Sequence, residues 1–529
     1  MEKLLTAWKA NKLETSLLVC WLLTVFSSFW SDALISFTVP LVGAIFPFRV
    51  FLPITALLYL IWTLRGNDHI WIDSTLLEKW VYGLIVILLL YGVASLPRAI
   101  DFAWTFRKLF NLCLDLCFFF LMLRLCRNER WFRCTLCAVG AAMALLCIMG
   151  VWEIFNGGIF DPAYNDYKRF EWFIAIYQFP VVASGNTNDY SAELLMCASV
   201  LLLSLMRHWR SCGKAARWVV ALSFGVLYLL ILASSARLVK LCFFLVLAGF
   251  ALFLLVSDRK RLWIVLAALC LIGGIRFANQ YRYIVPPVRS YIAEMQLYRE
   301  QASKPAPIPS EAPEDPSVPT KPSEAPEDPS VPTKPSLQVG DPRVQTLDEQ
   351  FYTTDAETGE KALRNEGSAG ERAHLLLHAL DCFVESHGLG IGLGNTETLA
   401  AQRVVVPRWA GNSQQSIHCF IARLIADCGI FALLPLCVIG VLLLKAVLKV
   451  LLSALRRGDR GNVAYCLLFL FVLLTYPIAS TASSDSQDMI AMWIYLASVI
   501  LLANTLAASQ PASVSGPLNT QNPTTLRIE

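Results

Sequence analysis

The chain has 529 residues, 56% of them hydrophobic and 16% charged, with a formal net charge of +4. That balance excludes an ordinary soluble enzyme. The small positive charge calls for no nucleic-acid partner, because the lysines and arginines are placed as topology signals.

In chain order, apolar stretches of about 18 to 22 residues recur, each long enough to cross about 30 Å of hydrocarbon as a helix. They lie near residues 16–36, 38–62, 80–98, 108–126, 132–153, 188–206, 217–235, 237–256, 262–278, 417–447, 463–482 and 488–506; the second and tenth are the least sharply bounded. The first is long and lacks a small-residue cleavage site, so it is not a cleavable signal. The expected fold is therefore an all-α polytopic membrane protein of about twelve transmembrane helices. Spans one to nine occupy residues 1–279, a single large loop 280–416, spans ten to twelve 417–506, and a tail 507–529.

Charge sets the orientation. Arg124 to Arg133, Arg207 to Arg217, Asp258 to Arg261, Lys445 to Arg460 and the N-terminus with Lys3, Lys9 and Lys12 are dense in Lys and Arg, and alternating spans put them all on one side. The opposite side has no such residue in Ser31-Asp32 or Ser483 to Asp488, and only Arg98 between Pro97 and Asp101. The positive-inside rule then places both termini in the cytoplasm and the large loop outside. Most of the sixteen cysteines fall within apolar spans, and Cys382 is the one clearly in the loop, so they read as small hydrophobes rather than a disulfide framework.

Within the loop, SEAPEDPSVPTKP at 310–322 repeats unchanged at 323–335. Its prolines favour extended polyproline II and its charges keep it solvated, so it reads as a spacer, and Glu314-Asp315 as a solubilising pair rather than a metal ligand. Apolar residues at helical spacing from Glu371 to Glu385 predict a helix over the membrane. It leads into Ser386-His387-Gly388 and on to Gly394-Asn395, a glycine run that lets the backbone approach a ligand but equally fits a plain loop.

Four polar clusters are expected at the outer surface. Gly185-Asn186-Thr187-Asn188-Asp189 opens span six, where an Asn or Asp can simply cap a helix. Ser234-Ser235-Ala236-Arg237 makes a tight turn, and an arginine so close to hydrocarbon is a functional candidate. Arg372 opens the loop helix and by itself reads as a surface arginine. His418 stands at the mouth of span ten, and imidazole is well suited to proton transfer near neutral pH.

Together these clusters resemble the O-antigen ligase family and related bacterial polysaccharide polymerases. Gly185 to Asp189 resembles the family's Gly-Asn-Pro-Asn motif and Ser234 to Arg237 its Ser-Arg turn. Arg372 with Gly388 to Gly394 resembles its loop helix followed by Gly-x-Gly-x-Gly, and His418 with Gly429 its final His motif. The chain departs from the pattern at Thr187, Ala236, Cys419 and Ala432. The resemblance implies a metal-independent GT-C-type glycosyltransferase of cell-surface polysaccharide biosynthesis in the cytoplasmic (inner) membrane, without cofactor and with its active site on the extracytoplasmic face. It would transfer an undecaprenyl-pyrophosphate-linked glycan to the hydroxyl of a glycan or glycolipid acceptor, as a ligase or a polymerase. Arg237 and Arg372 would hold the pyrophosphate, His418 would take the acceptor proton, and Asn186, Asn188, Asp189, Ser235, Gly392 and Gly394 would line the substrate site.

Other readings weigh less. His374 and His378 share a helix face at i,i+4 but have no acidic partner at zinc-motif spacing. A flippase or other transporter would carry charges along a midplane path, where only Asp115, Glu193 and an Arg423/Asp427 pair stand out; the last fits a structural i,i+4 bridge. A scaffold or sensor presenting the proline-rich segment would leave the histidine and arginines unexplained.

Overall fold

The computed structural model describes residues 12–30, 36–39, 43–67, 74–156, 169–172, 175–178, 180, 182, 187–209, 213–234, 236–284, 352–354, 361–363, 367–403, 414–480 and 490–508. The tandem repeat 310–335, and with it most of the expected loop, lies outside the described residues.

The described chain is an all-α, multi-pass membrane protein. Its helices are α1 (Lys12–Ser27), α2 (Pro47–Trp62), α3 (Leu76–Ser95), α4 (Phe102–Leu125), α5 (Glu129–Asn156), α6 (Thr187–Arg207), α7 (Lys214–Ala233), α8 (Arg237–Ser257) and α9 (Trp263–Ile284). They continue as α10 (Gly367–Glu385), α11 (Asn395–Arg403), α12 (Phe420–Cys428), α13 (Ile430–Arg457), α14 (Arg460–Ala479) and α15 (Ile490–Ala508). Three two-stranded hairpins punctuate them: β1 (Phe37–Val39) with β2 (Gly43–Ile45), β3 (Arg169–Trp172) with β4 (Ala175–Gln178), and β5 (Tyr352–Thr354) with β6 (Lys361–Leu363). Among the described residues nine helices are long and apolar enough to cross a membrane. Leu90, Ile148, Leu266 and Val441 are 66%, 66%, 62% and 63% exposed on their outer faces, as suits side chains that meet lipid rather than water.

Several span limits differ from the sequence expectation, the first helix ending at Ser27 rather than near 36, and two of the differences have a backbone cause. Thr38 and Val39 pair with Ala44 and Gly43 in the β1–β2 strands, and the second helix starts only at Pro47, whose fixed φ suits the first helical position. The run expected as the tenth span is broken: α12 ends at Gly429, held at φ +61° and ψ −142°, and it is α13, from Ile430, that is long and apolar enough to cross. That backbone state is open essentially to glycine alone, so the apolar run 417–447 cannot be one straight helix.

Caps fix several boundaries. Thr75 and Glu78 exchange a capping box at the start of α3, Asp101 accepts from the Trp104 amide to start α4, and Asp459 accepts from the Asn462 amide to start α14. α15 packs against α4, α6 and α13, and α14 lies along α8.

The bundle has two chemically distinct ends. At one, Arg124 donates to Ser74, Arg207 to Thr505 and Arg261 to the Trp209 carbonyl, which gathers the arginine-rich turns. At the other, the α3–α4 turn meets the glycine run, and Thr187 donates to the Ser234 carbonyl between α6 and the α7–α8 turn.

Candidate functional site

At the end away from the arginine-rich turns, α10, α11, α12 and the glycine run form one small packed unit. Leu375, Ala379 and Cys382 of α10, Ala400 of α11, Ile417 just before α12 and Ala426 of α12 bury together as its core. The helix expected over 371–385 is present as α10.

The glycine run crosses the α12–α13 junction backbone to backbone. Gly388, Gly390, Gly392 and Gly394 all have positive φ. The Ile391 and Gly392 amides donate to the Ala426 and Asp427 carbonyls, and the Ile430 amide donates to the Gly388 carbonyl. A Cβ at Gly390 would stand 2.4 Å from the Asp427 carbonyl oxygen, and one at Gly429 2.3 Å from that of Gly388. The close approach these glycines permit is therefore to the chain's own backbone. Gly394 donates its amide to Asp427 Oδ2 at 3.0 Å. Gly392 and Gly394, expected against substrate, thus hold α12 in place.

Asp427 is the hub of this contact. Its Oδ1 accepts from the amide and hydroxyl of Thr396. Burial pushes its carboxyl up to about 6, against the lowering effect of Thr396, the Gly394 amide and Arg423. His378 of α10, 6% exposed, faces the Thr396 carbonyl at 3.3 Å and Cys382 Sγ at 3.5 Å. Burial holds its imidazole below the usual histidine range and pushes the Cys382 thiol up to about 12.

Beside Asp427 lies a buried charge cluster that sequence reasoning missed. Glu397 of α11, 1% exposed, takes Arg423 Nη1 at 2.6 Å on Oε1. On Oε2 it takes Lys108 Nζ at 3.3 Å and Trp104 Nε1 at 3.0 Å. The 2.6 Å carboxylate partner of Arg423 is thus on another element, not at i+4 on its own helix. Asn395 joins the same seam, accepting from the Ile100 amide and donating to the Arg98 and Ile391 carbonyls. These bonds lock the loop unit onto the start of α4. The available sequence signal was Lys108, a cation at the edge of an apolar span, where an ionisable group needs a partner.

His418 sits on this scaffold. The segment before it is clamped on both sides: Gln414 donates to Asp101 Oδ2 at 2.9 Å, and the Gln415 amide to the Glu397 carbonyl at 3.0 Å. Ile417 is 1% exposed in the small core. His418 itself is half-buried with φ +54°, a left-handed conformation that costs a non-glycine residue roughly 1–3 kcal/mol and persists only where the surroundings impose it. Cys419, the N-cap of α12, lies within electrostatic reach of Tyr476 in the last turns of α14, and Phe420 stacks edge-on against Trp493.

Arg237 is the first residue of α8 and is exposed at the same end. One turn on, Lys240 lies within electrostatic reach of both Arg237 and Arg276, and Cys242 Sγ reaches the Thr475 carbonyl of α14 at 3.7 Å. The last turns of α14 therefore adjoin both the Arg237 helix and the His418 segment. Arg372 belongs to α10, which packs on α12, but its side chain lies outside the described residues, as do Asn186 and Ser235 entirely. Asn188 is half-buried and Asp189 buried in the first turn of α6. Chemically, this end offers a strained, partly buried imidazole and an exposed guanidinium on a rigid base. No protein-family model matches the chain, and no curated protein matches it.

Proposed function

We propose that the chain is a membrane glycosyltransferase that moves a glycan from undecaprenyl pyrophosphate to an acceptor hydroxyl, in the manner of an O-antigen ligase or a polysaccharide polymerase. The observation that carries this reading is the strained His418, held by a buried ion-pair scaffold at the bundle end where α8 begins with Arg237. Strain in a half-buried imidazole is an expense that function can explain and packing alone does not.

The chemistry follows from the groups. A lipid pyrophosphate leaves as an anion, and the planar guanidinium fork of Arg237, joined by that of Arg372, matches its oxygens and stabilises charge as the glycosidic bond breaks. His418 takes the proton from the acceptor hydroxyl as that oxygen attacks the anomeric carbon. The positive-inside rule puts this end outside the cytoplasmic membrane, where lipid-linked glycans are assembled onto acceptors.

The test is in vitro transfer from purified undecaprenyl-pyrophosphate-linked glycan. Arg237→Lys and Arg372→Lys keep the charge but lose the fork and should each lower transfer at least tenfold. Wild-type protein that transfers nothing, yet moves the intact lipid-linked glycan across a bilayer, would replace the reading with a flippase.

A further inference from the structure

The loop helix α10 has three sides of different character. Leu375, His378, Ala379 and Cys382 are buried where α10 meets α11 and α12. Asp381 and Glu385 are exposed, and Glu385 takes Arg403 Nη1 at 2.9 Å. The third side is apolar and open: Leu376, Leu377, Leu380 and Val384 are between 40% and 70% exposed. At about 100° per residue, these four fall within one arc of about 100°, the width of the apolar stripe of an amphipathic helix.

This open side leads into a wall that faces lipid. Just beyond α10, Leu389 is 56% exposed, and its carbonyl accepts from the Tyr91 hydroxyl at 3.0 Å. The Tyr91 ring lies against that of Phe431, with centroids 5.6 Å apart. Tyr91 stands one turn before the end of α3, and Phe431 in the first turn of α13. Both helices are long and apolar enough to cross a membrane, and they pack side by side. Around that contact Leu90 and Val93 of α3 and Ile430 and Leu434 of α13 are exposed, as the outer faces of crossing helices are. A tyrosine near the end of such a helix suits the level of the lipid headgroups. The exit from α10 is thereby tied to the rim of the lipid-facing wall.

We propose that α10 is an interfacial membrane helix whose open side is sunk into the bilayer leaflet at the His418 end. Leu376, Leu377, Leu380 and Val384 lie among acyl chains, and Asp381 and the Glu385–Arg403 pair stay in water. The occupant is lipid because the stripe continues a surface that lipid already covers; a second copy seated there would have to displace lipid from the α3–α13 wall as well. A helix of this kind binds through its buried apolar area, and a basic polar side adds attraction to anionic lipid. Here the polar side carries Asp381 and Glu385, so a zwitterionic bilayer suffices. The unit beneath His418 is then held from two sides, by Glu397 against Lys108 and Trp104 of α4 and by lipid against α10.

The experiment uses the full-length protein in nanodiscs of dioleoylphosphatidylcholine, with the photoreactive residue p-benzoylphenylalanine placed at one position at a time. Leu380 and Val384 report on the stripe, Asp381 on the water side, and Leu90 on the lipid-facing wall. All four side chains are exposed, so the replacements leave the packed interior intact. After irradiation, intact-mass spectrometry and peptide mapping read what each position has joined. One added lipid mass is expected at Leu380, Val384 and Leu90, and none at Asp381. Covalent dimers from Leu380 and Val384 would give the stripe to a second copy, and crosslinks within the chain would give it to another part of the loop. Either result, or no reaction at these two positions while Leu90 labels, would overturn the proposal, as would lipid adducts as frequent at Asp381 as at Leu380.

Discussion

The two ends of the bundle handle charge differently. At the His418 end, Glu397 sits 1% exposed between Lys108 and Arg423 with Trp104 as a further donor, and Asp427 receives three hydrogen bonds next to it. At the arginine-rich end charge is divided between surface and interior: the Arg133–Glu129 pair is 65% and 64% exposed, while Arg124 and Glu78 are buried, Arg124 donating to Ser74 and Glu78 accepting from the Thr75 amide and from Asn504. Desolvating an ion pair is expensive, and it gives little net stability compared with a well-packed apolar replacement. Its retention beside His418 fits a need for position rather than for stability.

The contrast makes distinct demands on single substitutions. Glu397→Ala leaves Lys108 and Arg423 buried without their shared carboxylate, and should cost about 3–5 kcal/mol, read as a lowered melting temperature in detergent. A loss close to zero would mean that water reaches the cluster. Gly429→Ala forces a Cβ into the Gly388–Gly390 backbone at a φ reserved for glycine. About 2–4 kcal/mol is expected there, with faster hydrogen exchange confined to residues 386–430. Uniform exchange across the bundle would show that the loop unit is not a separate cooperative element.

Asp427 gives a pH signature. Its folded pKa is raised, to about 6 from an ordinary 3.8. Its contribution is therefore fully present below the unfolded value, and is lost as pH rises from about 4 through about 6. His378, held below the usual histidine range by burial, acts in the other direction, losing stability as pH falls below about 6.5. Asp427→Asn should remove the first slope and leave the second, so the variant's melting temperature rises between pH 4 and 7 relative to the wild-type trend. Parallel pH profiles would contradict the burial of that carboxyl. At the arginine-rich end, Arg133→Ala should leave the melting temperature unchanged, since an exposed i,i+4 pair is screened and mobile. A measurable drop would erase the contrast between the ends.

Much of the membrane architecture was legible because hydropathy depends on local composition. Eleven of the twelve expected spans overlap one described helix each and the tenth overlaps two, α12 and α13, while nine of the described helices meet the length and apolarity for crossing. Breaks within apolar runs were harder to see. Pro47 and Gly429 act through backbone geometry that a hydropathy window averages away. The candidate site was legible as scattered polar residues, but its scaffold was not. Glu397 pairs with Lys108 and Arg423, 289 and 26 positions away (397 − 108 and 423 − 397), and no local pattern signals such contacts. The glycine run reads from sequence as a backbone able to approach a ligand or as a plain loop, and neither reading points to the contact the structure shows, that of Gly390 with Asp427 to Gly429 of the same chain.

The most direct measurement is single-turnover transfer from undecaprenyl-pyrophosphate-linked glycan by purified wild type and His418→Ala, with donor binding measured in parallel. If His418 accepts the acceptor's proton, the variant should bind donor normally while transfer slows about a hundredfold or more. Transfer at the wild-type rate by His418→Ala would contradict the proposed role and leave the strained histidine without a catalytic reason.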